Sequence, residues 1–319
     1  MTLSGKHLLS TQHTSTDTSV MTSSSNSKTY RGRFAPSPTG PLHFGSLLAA
    51  VASYLDARAH HGTWLVRIED LDPPREDPTA ADSILHTLDH YGLHWDEDIR
   101  YQSTRSDAYN DALQQLILQQ LAFPCACSRK QLGNQLHHGI CSTLQTSDIA
   151  WRFLCPAGQL RISDTLQATQ TYELAANIGD FVIRRRDGLW SYQLAVAVDD
   201  ADQGITHVVR GIDLIDSTAR QVLLQQALGY SSPIYSHIPV ANEANGQKLS
   251  KQNLALSLST EKAADTLWLA LAWLKQSPPA ELRGVNVTDL LTWAIANWQA
   301  EVLIGLTSMP APGDFQRQL

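Results

Sequence analysis

Residues 30–68 constrain the fold more than any other stretch of this chain. Gly32-Arg33-Phe34-Ala35 reads as a short buried strand, and Pro36-Ser-Pro-Thr-Gly-Pro as a loop, since its prolines cannot sit inside a helix. From His43, the apolar residues Leu47, Leu48, Val51, Tyr54 and Leu55 recur at helical spacing to about His60. Thr63-Trp-Leu-Val-Arg-Ile68 then reads as a second buried strand. Strand, glycine-bearing loop, helix and strand make a βαβ unit. Such a unit implies a parallel sheet with a ligand beyond the carboxyl ends of its strands.

The rest of the chain is consistent with an α/β protein. Asp77–Tyr91 and Thr104–Leu121 have helical periodicity, and an irregular region bearing Gly, His and Cys follows to about Gly158. Phe181–Arg184, Ser191–Val198 and Thr206–Arg210 read as strands. Asp216–Leu228 reads as a helix, with Asp216, Ser217 and Thr218 as candidate caps and Gly229 as its terminator. From Glu261 onward, Leu267, Leu271, Trp273 and Leu274, then Leu290 to Ile304, read as a small helical region.

A length of 319 residues with 43% hydrophobic and 17% charged residues fits a globular protein with a sizeable core. The net charge of -7 does not suggest a nucleic-acid binder, yet phosphate contacts need only a local basic face. Arg184-Arg185-Arg186 supplies either such a face or a solvated strand end. No apolar run is long enough to cross a bilayer. The Ser- and Thr-rich stretch 1–29 has neither the apolar core of a secretory signal nor the arginines of a transit peptide, and reads as a disordered extension of a cytoplasmic protein. Four cysteines in a chain this long point to a metal or to packing rather than to a disulfide framework.

Three groups of residues carry chemistry. In Arg33 to Ser46, a phosphate can rest at the helix N-terminus, where free backbone N–H groups and the helix dipole favour negative charge. There His43 can donate to phosphate oxygens, and Gly45 lets a flat base approach the backbone. Lys248-Leu-Ser250-Lys251-Gln252 is a polar loop whose two ammonium groups can reach one triphosphate, which suits a reaction that depends on positioning and electrostatics. Cys125, Cys127 and Cys141 cluster within a short span, with His137 and His138 between them. Three thiolates and one imidazole make a closed tetrahedral zinc site of structural type, with His137, His138 or Cys155 as the fourth ligand.

Taken together, Arg33-Phe-Ala-Pro-Ser-Pro-Thr-Gly, His43-Phe-Gly-Ser and Arg67-Ile-Glu69-Asp70-Leu-Asp72 resemble the catalytic domain of the glutamyl-tRNA synthetases. The likeness runs from about Tyr30 to Ala255 and implies a Rossmann-like class I synthetase fold. It is strongest to the short branch that glutamylates queuosine in tRNA(Asp), on Phe44, the Cys-x-Cys insert and Asp180-Phe-Val-Ile-Arg-Arg-Arg-Asp-Gly. The chain departs from the family pattern at Ser46, where the family has a second histidine, and at Gln252, where it has serine. His137 stands where the family has a tyrosine ligand, and makes the resemblance-based zinc set Cys125, Cys127, His137 and Cys141.

The resemblance implies a glutamate pocket of Arg33, Phe34, Ala35, Pro36, Ser37, Glu69, Tyr192 and Arg210. It implies ATP contacts from Pro36, His43, Gly45, Ser46, Lys248, Ser250 and Lys251, with His43, Lys248 and Lys251 catalytic. A guanidinium suits the substrate's side-chain carboxylate, Glu69 its ammonium, and Tyr192 adds an oriented hydroxyl.

The implied layout is an extension (1–29), a first catalytic half (30–115), a zinc-bearing insertion (116–180), a second half with the lysine loop (181–255) and a small helical domain (256–319). The implied reaction joins L-glutamate to Mg2+-ATP without needing tRNA. It then transfers glutamate to the queuosine at the first anticodon position of tRNA(Asp), in a monomer lacking the anticodon-binding domain. Other readings of the same residues are an ordinary synthetase charging the tRNA 3′ end, an inactive RNA-binding paralogue, and another adenylate-forming enzyme of the superfamily.

Overall fold

The structure is a computed structural model that describes residues 29–133, 135–141, 148–243 and 257–315. The expected lysine loop, with Lys248, Ser250, Lys251 and Gln252, lies outside the described residues. The opening unit is as the periodicity predicts: β1 (Arg31–Phe34), α1 (Phe44–Ala59) and β2 (Thr63–Ile68), with β1 and β2 parallel from Arg31 opposite Thr63 to Phe34 opposite Val66. A short helix α2 (Ala80–His90) leads to β3 (Arg100–Tyr101), parallel to β2, and then to α3 (Ser106–Leu118).

The next segment is a small antiparallel unit. It comprises β4 (Ala122–Cys125), α4 (Arg129–Leu132), β5 (Ala150–Phe153), β6 (Gln159–Ile162), β7 (Gln170–Glu173) and β8 (Phe181–Arg184). Its sheets are ordered β4-β5-β8 and β6-β7. The β4-β5-β8 sheet straddles residue 180, where the sequence suggests a boundary.

The chain returns to the parallel layer through α5 (Tyr192–Asp202), β9 (His207–Gly211), α6 (Ile215–Leu228) and β10 (Ile234–Ile238), followed by β11 (Val240–Asn242). β9 and β10 are parallel, and β9 runs beside β1, where the Thr206 N–H donates to the Arg31 carbonyl at 2.9 Å. β1 therefore has its sequence neighbour β2 on one side and the distant β9 on the other. The crevice beyond their carboxyl ends is the position where an open parallel sheet admits a ligand.

One expected strand is a helix. Ser191–Val198 reads as a strand because Leu194, Val196 and Val198 alternate with small alanines, but the structure has α5 there. Leu194 through Asp200 are all buried, so the helix has almost no polar face and its period is hidden. Its start was marked all the same: Ser191 is the N-cap, and its hydroxyl accepts the Leu194 N–H. The caps proposed for α6 are also corrected. Its N-cap is Leu214 with no side-chain cap, and Thr218 turns inward, while Gly229 does end the helix in the left-handed region at φ 74°.

Two apolar cores flank the sheet. On one face α1 packs with α2 and with the C-terminal helices α7 (Ala263–Trp273) and α8 (Val287–Ala296); on the other lie α3, α5 and α6. The tail is tied into the first core. Phe44, fully buried at the start of α1, meets Trp273 edge-on and stacks on Phe315, and β12 (Ser308–Pro310) pairs with β11. No helix among the described residues is long and apolar enough to cross a membrane.

Because Ser191 caps the helix that carries Tyr192 and Asp200, Ser191→Ala is expected to cost about 1 kcal/mol in denaturant unfolding, with Ser191→Asp close to wild type. Equal stability of all three forms would contradict the capped helix.

Candidate active site

A cavity of about 340 Å³ opens at the carboxyl ends of β1, β9 and β10 and at the first turn of α1. Arg33, Phe34, Ala35, Pro36, Ser37, His43, Gly45, Ser46, Tyr192 and Arg210 all line it. Residues from three separate segments of the chain thus meet in one place. Glu69 lines an adjoining cavity of about 1030 Å³, which shares Ser37, Thr39 and Tyr192 with the first.

The helix start is built from His43 and Ser46. The Ser46 hydroxyl accepts the His43 N–H at 2.9 Å and donates to the His43 carbonyl at 2.8 Å, while the Ser46 N–H donates to His43 Nδ1 at 3.3 Å. This is a capping box in which the cap residue is a histidine. Since Nδ1 accepts, the neutral ring carries its proton on Nε2, as a donor. The Ser46 hydroxyl therefore fixes the helix start through the His43 backbone, while the Ser46 backbone N–H, which any residue there would supply, orients the His43 ring. Ser257 bridges antiparallel to His43, so the first described residue beyond the lysine-bearing segment sits against the helix start.

Below the cavity lies a cluster of buried charges that motif reading missed in part. Arg67, wholly buried, donates to Asp200 at 2.8 Å, to the Gln203 side chain at 2.9 Å and to Glu69 at 3.4 Å. Arg33 donates to the two Asp200 oxygens at 3.3 and 3.4 Å. Burial would push the Asp200 carboxyl up, but the Arg33 and Arg67 guanidinium groups outweigh it and hold the carboxyl below its ordinary range. At Glu69 the balance tips the other way. Burial pushes it above the ordinary carboxylate range despite Arg67 and Arg33. An ammonium group brought beside Glu69 would reverse that shift.

Arg210 projects from β9 with its Nε–H donated to His237 Nε2 at 3.1 Å and its Nη2–H to the Thr218 hydroxyl at 2.7 Å. The Tyr192 hydroxyl lies 3.5 Å from its Nη1, and burial raises that phenol, so it stays protonated as a donor. Arg33, Glu69, Tyr192 and Arg210 together can receive a molecule with both carboxylate and ammonium groups. The missed partners, Asp200, Gln203, His237 and Thr218, belong to none of the motifs, and Thr218 was read only as a candidate cap.

The arginine triplet resolves into three separate fates. Arg184 lies over the Trp190 ring, Arg185 pairs with Asp72 and Asp187, and Arg186 pairs with Asp148 and the Ala126 carbonyl. Arg185 and Arg186 line the larger cavity, along with Arg75 and Arg152.

Cys125, Cys127, His137 and Cys141 form a compact cluster whose ligand atoms all lie within 4.8 Å of one another. Cys141 Sγ is 3.5 Å from Cys125 Sγ and 3.6 Å from Cys127 Sγ, and His137 Nε2 is 3.4 Å from Cys125 Sγ. A tetrahedral ion with metal–sulfur bonds of about 2.3 Å spans sulfurs roughly 3.8 Å apart, so the donor set fits a divalent metal. The Asp180 carboxylate accepts from His137 Nδ1 at 3.0 Å, which aims Nε2 at the sulfurs. Burial and the neighbouring sulfurs push the Cys141 thiol up to about 11, a repulsion that a cation would relieve. His138 is exposed and Cys155 turns to the Leu174 carbonyl, so neither joins the cluster.

The chain matches the family model for the catalytic domain of class I tRNA synthetases (E and Q) over residues 29–149 and 143–276. It is 49% identical over 290 residues to a Pseudomonas fluorescens protein named glutamyl-Q tRNA(Asp) synthetase, covering 90% of this chain and 97% of that one. A Thiobacillus denitrificans protein of the same name is 50% identical over 281 residues, covering 85% and 93%. Among solved structures, the glutamate-tRNA synthetase of Elizabethkingia anophelis superposes with a TM-score of 0.75 at 22% identity, over 89% of this chain and 68% of that one. That likeness is one of fold.

Purified protein is expected to carry about one divalent metal ion per chain by elemental analysis, and Cys141→Ala or His137→Ala to lose it along with stability. Metal-free wild-type protein with undiminished stability would contradict the site.

Proposed function

The chain belongs to the class I tRNA synthetases of the glutamate and glutamine type, the family that holds the glutamyl-Q tRNA(Asp) synthetases, and is an ATP-dependent ligase; on that basis we propose that it activates L-glutamate without tRNA and transfers it to queuosine in tRNA(Asp). The observation that carries this reading is the meeting of Arg33, Tyr192 and Arg210 with the N-terminus of α1 in one cavity, beside Glu69.

In the first step a glutamate α-carboxylate oxygen attacks the α-phosphorus of ATP, which enters as its Mg2+ complex. The bond to the bridging oxygen breaks and pyrophosphate leaves, giving glutamyl-adenylate. His43 donates from Nε2 to the phosphates, helped by the backbone N–H groups of α1. Lys248 and Lys251 are assigned to the same phosphates, with Ser250 between them. Arg210 and Arg33 take the side-chain carboxylate, Glu69 the ammonium, and Tyr192 donates a hydrogen bond.

In the second step a hydroxyl of the queuosine cyclopentene ring attacks the acyl carbon, and AMP leaves as the ester forms. The larger cavity suits the entering nucleotide, because it joins the amino-acid pocket through Ser37, Thr39 and Tyr192 and carries Arg75, Arg152, Arg185 and Arg186 on its walls. Zn2+ in the Cys125, Cys127, His137 and Cys141 cluster would hold the wall of this cavity in shape, since Cys127 lines it. The 97% coverage of the Pseudomonas fluorescens relative supports the queuosine acceptor over the tRNA 3′ end.

Labelled glutamate, ATP and queuosine-bearing tRNA(Asp) are expected to place label on the queuosine nucleoside after digestion, and glutamate-dependent ATP–pyrophosphate exchange to proceed without tRNA. Label on the terminal adenosine would overturn the acceptor, and exchange only with tRNA present would overturn tRNA-free activation. The raised Glu69 carboxyl sets a pH signature. Its ionised form holds the ammonium, so KM for glutamate is expected to rise as pH falls through a pKa above the usual ~4.3, and Glu69→Gln to remove that dependence. A wild-type KM that stays flat above that range would argue against the role given to Glu69.

A further inference from the structure

The cation that faces the amino-acid cavity is not free to choose its direction. Arg210 is held by a chain of buried groups that begins in the antiparallel unit: Asp164, in the link between β6 and β7, then His237 on β10, then Arg210 on β9. The Asp164 and His237 side chains are 2% and 1% exposed, so water does not compete for their hydrogen bonds. Asp164 Oδ2 lies 2.6 Å from His237 Nδ1. Asp164 Oδ1 accepts the backbone N–H of Leu166 and Gln167, both at 2.9 Å, and that of His237 at 3.2 Å.

Each atom in this chain has one permissible role. A carboxylate only accepts, so His237 Nδ1 carries the ring proton. Arg210 only donates, so His237 Nε2 must present its lone pair. Burial pushes the imidazole below its ordinary range, against the Asp164 hydrogen bond and together with the Arg210 charge, which keeps the ring neutral. Thr218 completes the clamp, its hydroxyl 2.7 Å from Arg210 Nη2 and 3.1 Å from His237 Nε2. With Nε and Nη2 engaged, the Nη1 edge beside the Tyr192 hydroxyl is left to face the cavity.

We propose that Asp164 and His237 are positioning residues for Arg210: the Asp164 carboxylate fixes the His237 tautomer, and the His237 lone pair then aims the guanidinium at the substrate carboxylate. This rests on the reading that Arg210 binds that carboxylate. It also gives the antiparallel unit a part in amino-acid recognition. The same link is laced to β10 by the Thr165 N–H on the Tyr235 carbonyl at 3.0 Å and by Gln167 on the His237 carbonyl at 2.8 Å.

Asp164→Asn tests the proposal with almost no change of shape. Three backbone N–H groups hold the amide oxygen in the Oδ1 position, so the amide NH2 faces His237 Nδ1 and donates to it. The ring proton moves to Nε2 and opposes the Arg210 Nε–H. KM for glutamate in ATP–pyrophosphate exchange is expected to rise on the order of ten- to a hundredfold, the scale of a lost hydrogen bond to a charge, with KM for ATP little changed. The two ring 15N resonances of His237 are expected to exchange protonated and unprotonated character. His237→Gln, whose amide can give an N–H to Asp164 and an oxygen to Arg210, is expected to stay near wild type, and His237→Met to resemble Asp164→Asn.

Arg210→Ala separates the two readings. Loss of glutamate saturation in Arg210→Ala, with unchanged KM and unswapped resonances in Asp164→Asn, overturns the positioning chain alone. An unchanged glutamate KM in Arg210→Ala overturns the carboxylate role beneath it. If Asp164→Asn does not fold, the histidine pair decides: equal glutamate KM for His237→Gln and His237→Met overturns the proposal.

Discussion

The ion pair between Arg67 and Asp200 is the contact on which the rest of the site depends. Arg67 is wholly buried on β2, and Asp200, on α5, reaches it at 2.8 Å. A buried guanidinium is costly unless its charge is paired, and removing one partner of such a pair commonly costs about 3–5 kcal/mol. Here Asp200 also meets Arg33, and Arg67 also meets Glu69, so two cations and two anions neutralise one another. The array ties β1, β2 and α5 together beneath the cavity and fixes Arg33 and Glu69 before any ligand arrives. Such preorganisation, with Arg33 and Arg67 on strands and Asp200 on a helix, suits a site that must hold charge in place.

Much of this was legible in the sequence because it rests on local periodicity. The βαβ unit, the loop that cannot be helical and the start of α1 at His43 all lie within one short stretch, where propensity and pattern agree. The three cysteines were legible from their close spacing and His137 from the resemblance, and the fold gathers those four while leaving His138 and Cys155 apart. What stayed hidden is long-range. Asp200, His237 and Asp164 acquire their roles only from partners far away in the chain, and no single-chain pattern announces such pairs. The α5 segment failed differently: a helix buried on nearly all sides loses the polar face by which its period is read, and its valines favour a strand reading.

Three parts of the molecule converge on the cavity. The parallel layer supplies the arginines and the helix start, the antiparallel unit steadies Arg210 through Asp164 and carries the metal-ligand cluster, and the C-terminal helices pack against α1, whose first turn holds His43. His43 and Ser46 show how a departure from a family motif can keep the local geometry. The Ser46 hydroxyl closes the capping box on the His43 backbone, and the Ser46 backbone N–H holds the His43 ring.

Arg210, set beside this self-neutralised array, is proposed to read an acidic side chain. Comparing glutamate with glutamine in ATP–pyrophosphate exchange tests it most directly. The two differ by one neutral amide in place of a carboxylate, which would leave buried guanidinium charge unmatched. We expect kcat/KM for glutamate to be higher by on the order of a hundredfold or more. Comparable exchange with the two amino acids would contradict it.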